Sequence, residues 1–227
     1  MAKVNIKGSI VSSDEQWIYE YFGIQSTSPK SVDKEIMDAN GEDIEVDINS
    51  GGGSVFAGSE IYTAIKSYHG NVTVRILGIA ASAASIIAMA GKKVFMSPTA
   101  QMMIHNVFSC AQGDYRDMEH MAEVLKNANE TISNAYRIKS GMSQKELLKL
   151  MDNETWLSPQ KALDYKLIDE VMFEDGIKLA ASYGGSPLLP PEVINKMRNT
   201  IKSPVQNGSD FLLQKSKLRL LKLKGEK

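Results

Sequence analysis

Strand-like and helix-like segments alternate along most of this 227-residue chain, and three strand ends carry glycines, small residues or a histidine. That order confines the fold to the α/β class, in which ligands bind beyond the carboxyl ends of the strands. Lys3–Ile10 (KVNIKGSI) alternates apolar and polar residues with the period of a strand. Ser13-Asp14 offers a cap for a helix that carries Trp17, Ile18, Tyr21 and Phe22 on one side. Ile44–Ile48 reads as a strand and Val55–Tyr68 as a helix, with a glycine turn between them. Val72–Leu77 is a further strand, and Ser82–Ala90 an apolar helix stopped by Gly91. Short strands follow at Val94–Met96 and Gln101–Ile104. Met118, Met121, Ala122, Leu125, Ala128, Ile132 and Ala135 then predict a long helix from Tyr115 to about Lys139. Ser143–Leu150 is another helix, Ser158-Pro159 caps a short one, and Ile168–Phe173 reads as the last strand.

The segment from Ala180 on (ASYGGSPLLPPE) changes character and reads as a linker. The expected organisation is therefore one domain over 1–179, a Gly/Pro-rich linker over 180–195 and a mobile basic tail over 196–227. The tail holds nine Lys/Arg against Asp210 and Glu226, although the whole chain carries a net charge of −1. The body is thus acidic. Ile76–Ala90 falls short of the about 20 apolar residues of a spanning helix, and the first residues show no signal-peptide core, so a cytoplasmic protein without a membrane partner is expected. A lone Cys110 agrees with a reducing compartment, a catalytic thiol being the less economical reading.

Three segments carry candidate chemistry: Asn49-Ser-Gly-Gly-Gly53, Gly78-Ile-Ala-Ala-Ser82 and Met103-Ile-His105. Ser82 opens a helix, where unpaired backbone N–H groups favour developing negative charge. The bland reading of Ala80 to Ser85 is small residues that let a helix lie close to a sheet, with Ser82 as cap. The glycines can be a plain turn, or a place where a substrate carbonyl approaches backbone donors. Of three histidines, His69 and His120 read as structural, whereas His105 follows an apolar strand on the same sheet edge as Ser82 and is the one placed to act as a general base.

In their order and spacing these motifs resemble the ClpP peptidase family, with further support from Ala135-Tyr136, Gly141, Trp156-Leu-Ser-Pro, Ala162, Tyr165 and Leu167-Ile-Asp169. The resemblance covers about residues 3–173. It implies a ClpP/crotonase-like α/β fold of stacked β-sheets with flanking helices, assembled into rings around a proteolytic chamber. It further implies Ser82 as nucleophile, His105 as general base, the N–H groups of Gly53 and Ala83 as oxyanion hole, and neither metal nor cofactor. The chain departs from the family pattern at Gly51, where proline is usual, and at Ala83-Ala84, where Met-Gly is usual. Both departures leave the backbone donors available. The third catalytic residue, an aspartate in the family, falls on Glu154, two before Trp156, with Asp152 as competitor because residues two apart in an extended segment point the same way.

Only two residues precede the first strand, where housekeeping ClpP subunits carry an additional helix and axial loop. With the basic tail, this makes the chain resemble the ClpP-related proteases of phage and prophage head assembly, acting on scaffold or capsid proteins in the host cytoplasm or assembling head. An ATPase partner and nucleic acid are not expected. The alternatives are a housekeeping-like subunit working with an ATPase, an acyl-CoA hydratase or isomerase on the same fold, a Ser-Lys peptidase using Lys92 or Lys93, and a non-catalytic assembly protein that binds a scaffold or nucleic acid through its tail.

Overall fold

A computed structural model describes residues 1–173, all within one compact unit. The expected linker and tail lie outside the described residues. Strand β1 (Ala2–Ile10) is followed by helix α1 (Gln16–Tyr21), strand β2 (Ser26–Thr27) and helix α2 (Pro29–Asp38). Next come β3 (Ile44–Gly53), α3 (Val55–Lys66), β4 (Val72–Ala81), α4 (Ala83–Ala88), β5 (Lys93–Met96) and β6 (Gln101–Ile104). The described part closes with α5 (Tyr115–Ser140), α6 (Gln144–Asp152), β7 (Thr155–Leu157), α7 (Pro159–Asp164) and β8 (Glu170–Val171).

The sheet runs β2-β1-β3-β4-β5-β8, all parallel, and β6 and β7 form a branch off β4. β4 causes the branching because it is long enough to have two successive neighbours. Thr73–Ile76 pair with β5, whereas Ile79–Ala81 pair with β6. Between them the β3–β4 register shifts, and the Asn49 side chain fills the gap by accepting the Ile79 N–H at 3.2 Å. Gly78 is needed there, since a Cβ would stand 2.6 Å from Asn49 Oδ1.

Ile44, Val46, Ile48, Val74 and Ile76 are fully buried, the near-continuous apolar pattern of central parallel strands covered on both faces. The charged residues at the centre of this sheet are paired: Arg75 makes a forked bond to Asp47 at 2.7 and 2.8 Å and an ion pair with Glu45 at 2.5 Å. Gly58 of α3 lies against Ala83, where an added Cβ would come within 2.9 Å of the alanine's own. The small residues around Ser82 therefore do serve close packing.

Several expectations change. The glycine run is not a turn but the end of β3, with Ser9 and Ile10 of β1 registered against Gly52 and Gly53. A parallel neighbour keeps the ladder going where glycine alone suggests a break. The strand read as Val72–Leu77 continues to Ala81, the apolar helix begins at Ala83 rather than Ser82, and α3 ends at Lys66. The last strand shrinks to Glu170–Val171. Helix α1 forms where its aromatic spacing places it, yet it buries no residue, and Trp17, Tyr21 and Phe22 are 65–79% exposed. Nothing among the described residues covers that face.

Candidate active site

Ser82 sits between β4 and α4 at φ 55°, ψ −126°, a backbone state that a non-glycine residue holds at a cost of about 1–3 kcal/mol. Such strain persists where the surroundings over-determine it, and here they do. The Ser82 N–H donates to Met103 O of β6 at 3.0 Å, which occupies one side of the turn. On another side Gly52 comes so close that a Cβ there would meet Ala81 O and Ser82 Cβ at 2.7 Å. Only glycine tolerates that approach and the φ of +96° that goes with it. Ser50 fixes the run from the other end: its hydroxyl donates to Gly8 O at 2.6 Å and accepts the Gly52 N–H at 3.1 Å.

His105 follows β6, two residues past the last pair of the β4–β6 ladder, Ala81 with Met103. Its Nε2 lies 2.7 Å from Ser82 Oγ. The loop beyond is tied to α5, because Val107 N–H donates to Asn129 Oδ1 at 2.7 Å. For Nε2 to accept from the serine hydroxyl, the imidazole proton must reside on Nδ1. Ser82 and His105 open on a cleft of about 400 Å³ that Gly53 also lines, with walls of Phe56, Val107, Met121, Val124, Leu125 and Ile132. An apolar cleft with a few convergent polar groups has the make-up of a binding site for an apolar side chain.

The remaining candidates separate clearly. His69, His120 and Cys110 are exposed, and none of them lines the cleft. Lys93 starts β5 beside Thr73, at the opposite end of β4 from Ser82, and Lys92 donates to Asn71 at 3.0 Å. A Ser-Lys pair has no geometry here. Among the described residues no group of three His, Cys, Asp or Glu could hold a metal ion, and no helix is long and apolar enough to cross a membrane.

This arrangement can be set beside known proteins. The Clp protease family matches residues 33–175, well over half of the sequence. The chain belongs to the Clp protease family. Two ATP-dependent Clp protease proteolytic subunits, from two strains of Bacteroides fragilis, are 35% identical to it over 136 residues, or 59% of the chain. The chain spans 66% and 62% of those relatives' lengths, just under two thirds. A mutant ClpP1 from Listeria monocytogenes shares the fold with a TM-score of 0.63 and 27% identity, over 75% of this chain and 91% of that one.

Within this Clp-family chain the acidic partner of His105 is the point on which sequence and structure differ. Ile104 pairs with Thr155 in the antiparallel β6–β7 register, so the next step brings His105 opposite Glu154. Glu154 nevertheless takes φ 45°, and its carboxylate accepts the Trp156 indole N–H at 3.3 Å. Asp152 ends α6 and accepts from the Asn106 side chain at 2.8 Å. Neither carboxylate bonds to His105. The expectation that both point the same way fails because Asp152 is helical and Glu154 lies in a turn, not in one extended segment. Two contributions escaped the sequence reading: Ser50, for which the glycine motif was a usable signal, and a buried pair behind Ser82, for which there was none.

Proposed function

We propose that the chain is a serine endopeptidase that works through an acyl-enzyme on Ser82, and the observation that carries this reading is the 2.7 Å contact between His105 Nε2 and Ser82 Oγ at the mouth of an apolar cleft. Ser82 Oγ attacks the scissile carbonyl carbon as its proton passes to His105 Nε2. The carbonyl oxygen then carries the negative charge. The Ser82 N–H is committed to Met103, so the oxyanion falls to other donors. The N–H of Ala83, at the first position of α4, has no intrahelical acceptor. Ser54 N–H points to Ile10 of β1 at 2.8 Å, and strand alternation leaves Gly53 N–H for the opposite edge, where Ser82 lies. On collapse His105 protonates the leaving amine. Water, deprotonated by His105, then attacks the ester and returns the proton to Ser82.

Glu154 is proposed to orient His105 by accepting its Nδ1–H, which requires its carboxylate to leave the Trp156 indole. The β6–β7 register favours it over Asp152, which has Asn106 for a partner. Glu154→Gln should lower kcat at least about tenfold with little change in KM, since a wrongly oriented imidazole is a loss felt in the transition state. Asp152→Asn should stay within about threefold of the parent. The reverse order of losses in a fluorogenic peptide assay removes Glu154 from the site.

The proposal includes a homo-oligomeric ring. Every buried residue of α5 lies at Ile132 or beyond, whereas Tyr115 and Met118 on its first half are 72% and 39% exposed and lie outside the cleft lining, a face suited to a neighbouring subunit. For the natural substrate we propose phage scaffold or capsid proteins, without an ATPase. The relatives' name, ATP-dependent Clp protease proteolytic subunit, favours a second reading in which an ATPase delivers substrates. Co-expression with candidate capsid and scaffold proteins, followed by mass spectrometry, distinguishes them. Cleavage that disappears with Ser82→Ala is expected, and intact structural proteins beside an active peptidase favour the ATPase reading.

A further inference from the structure

Behind the nucleophile, away from the cleft, lies a pair of hydroxyls that the proposed reaction does not use. Ser85 and Tyr136 are fully buried, and Ser85 Oγ lies 2.8 Å from the Tyr136 hydroxyl and 2.6 Å from Ser82 O. Neither residue lines the cleft. A carbonyl only accepts, so Ser85 must spend its single proton on Ser82 O. The Tyr136 hydroxyl is therefore the donor to Ser85 Oγ, and the order Tyr136 O–H to Ser85 O–H to Ser82 O=C is determined. Burial pushes the Tyr136 phenol well above the usual tyrosine range, so it keeps its proton and remains a donor.

We propose that Tyr136 and Ser85 are positioning residues for the nucleophile, holding the carbonyl of Ser82 so that its backbone stays at positive φ with Oγ aimed at His105. Resting on Ser82 as nucleophile, the inference adds a second anchor. Met103 O receives the Ser82 N–H, and Ser85 Oγ joins the Ser85 N–H, at 2.9 Å, on the Ser82 carbonyl. The peptide groups on both sides of the nucleophile are thereby fixed, and α5 is coupled to the reacting atom through a side chain about fifty residues away in sequence. A displacement of about 1 Å at a reacting atom costs up to about 100-fold in rate.

The test combines the rate of Ser82 labelling by a fluorophosphonate, kcat and KM on a short peptide, and Tm. Tyr136→Phe keeps the ring and its packing, and labelling should slow about 3- to 10-fold with KM unchanged. Ser85→Ala should slow labelling about 10- to 100-fold and lower Tm, because it removes the bond to Ser82 and leaves the Tyr136 hydroxyl buried without a partner. The double variant Ser85→Ala/Tyr136→Phe removes that orphan. Its Tm should return toward the parent while labelling stays slow, a separation that a merely structural role does not produce. Labelling that recovers in step with Tm, or that remains within about twofold of the parent in all three variants, overturns the inference. A parent protein that takes no label on Ser82 at all overturns instead the nucleophile assignment on which it rests.

Discussion

Ser82→Ala should abolish peptide hydrolysis, with a loss of at least about 1000-fold, and His105→Ala should do nearly as much. The reason is structural economy: Ser82 and His105 touch at 2.7 Å, and among the described residues no other hydroxyl bonds to that imidazole and no other histidine lines the cleft. Because the two act as a unit, the double variant should be little worse than Ser82→Ala alone, a non-additivity read directly from the rates. The fold should survive. Ser82 holds a strained backbone state and is only partly buried, so removing its hydroxyl costs little stability. Near-parent hydrolysis in Ser82→Ala contradicts the account.

Gly53→Ala should cost both structure and activity, whereas Gly51→Ala, two positions away, should cost neither. A Cβ on Gly53 would stand 2.1 Å from Ile10 O and 2.9 Å from Ile10 N, backbone atoms that cannot rotate aside, and its φ is +150°. The end of β3 must then separate from β1, carrying the Gly53 N–H with it. Loss of one oxyanion donor typically lowers kcat by about 100- to 1000-fold, and we expect a fall in that range together with a lowered Tm. At Gly51 an added Cβ meets nothing within 4 Å and φ is ordinary, so alanine should leave hydrolysis within about twofold. Peptide assays and thermal melts on the two variants check this. Equal behaviour of the two would mean that the glycine run is a plain spacer.

How far the sequence alone reaches is visible in these same residues. The alternation of strands and helices and the placing of Ser82 and His105 on one sheet edge were legible, because apolar periodicity and capping residues are local properties. The fate of the glycines was not, since whether β3 ends at Ile48 or Gly53 depends on the neighbour β1 and on Ser50 reaching Gly8. Helix α2 carried its own signal, a Ser28 cap followed by Pro29, which the reading passed over. The α1 aromatics had the spacing of a buried face but found no partner within the described residues. The Ser85–Tyr136 pair was beyond reach, because it joins α4 to α5 through a contact that no spacing encodes. That neither Glu154 nor Asp152 bonds to His105 follows from a turn residue at positive φ and a helix end, which a ruler laid along the sequence cannot detect.

The central claim is that Ser82 is an activated nucleophile. Treatment of the intact protein with a fluorophosphonate, followed by intact-mass measurement and peptide mapping, tests it most directly. The account predicts one adduct per chain, located on Ser82, and no adduct in Ser82→Ala or His105→Ala over the same time. An adduct on another residue, or equal labelling in the His105→Ala protein, contradicts it.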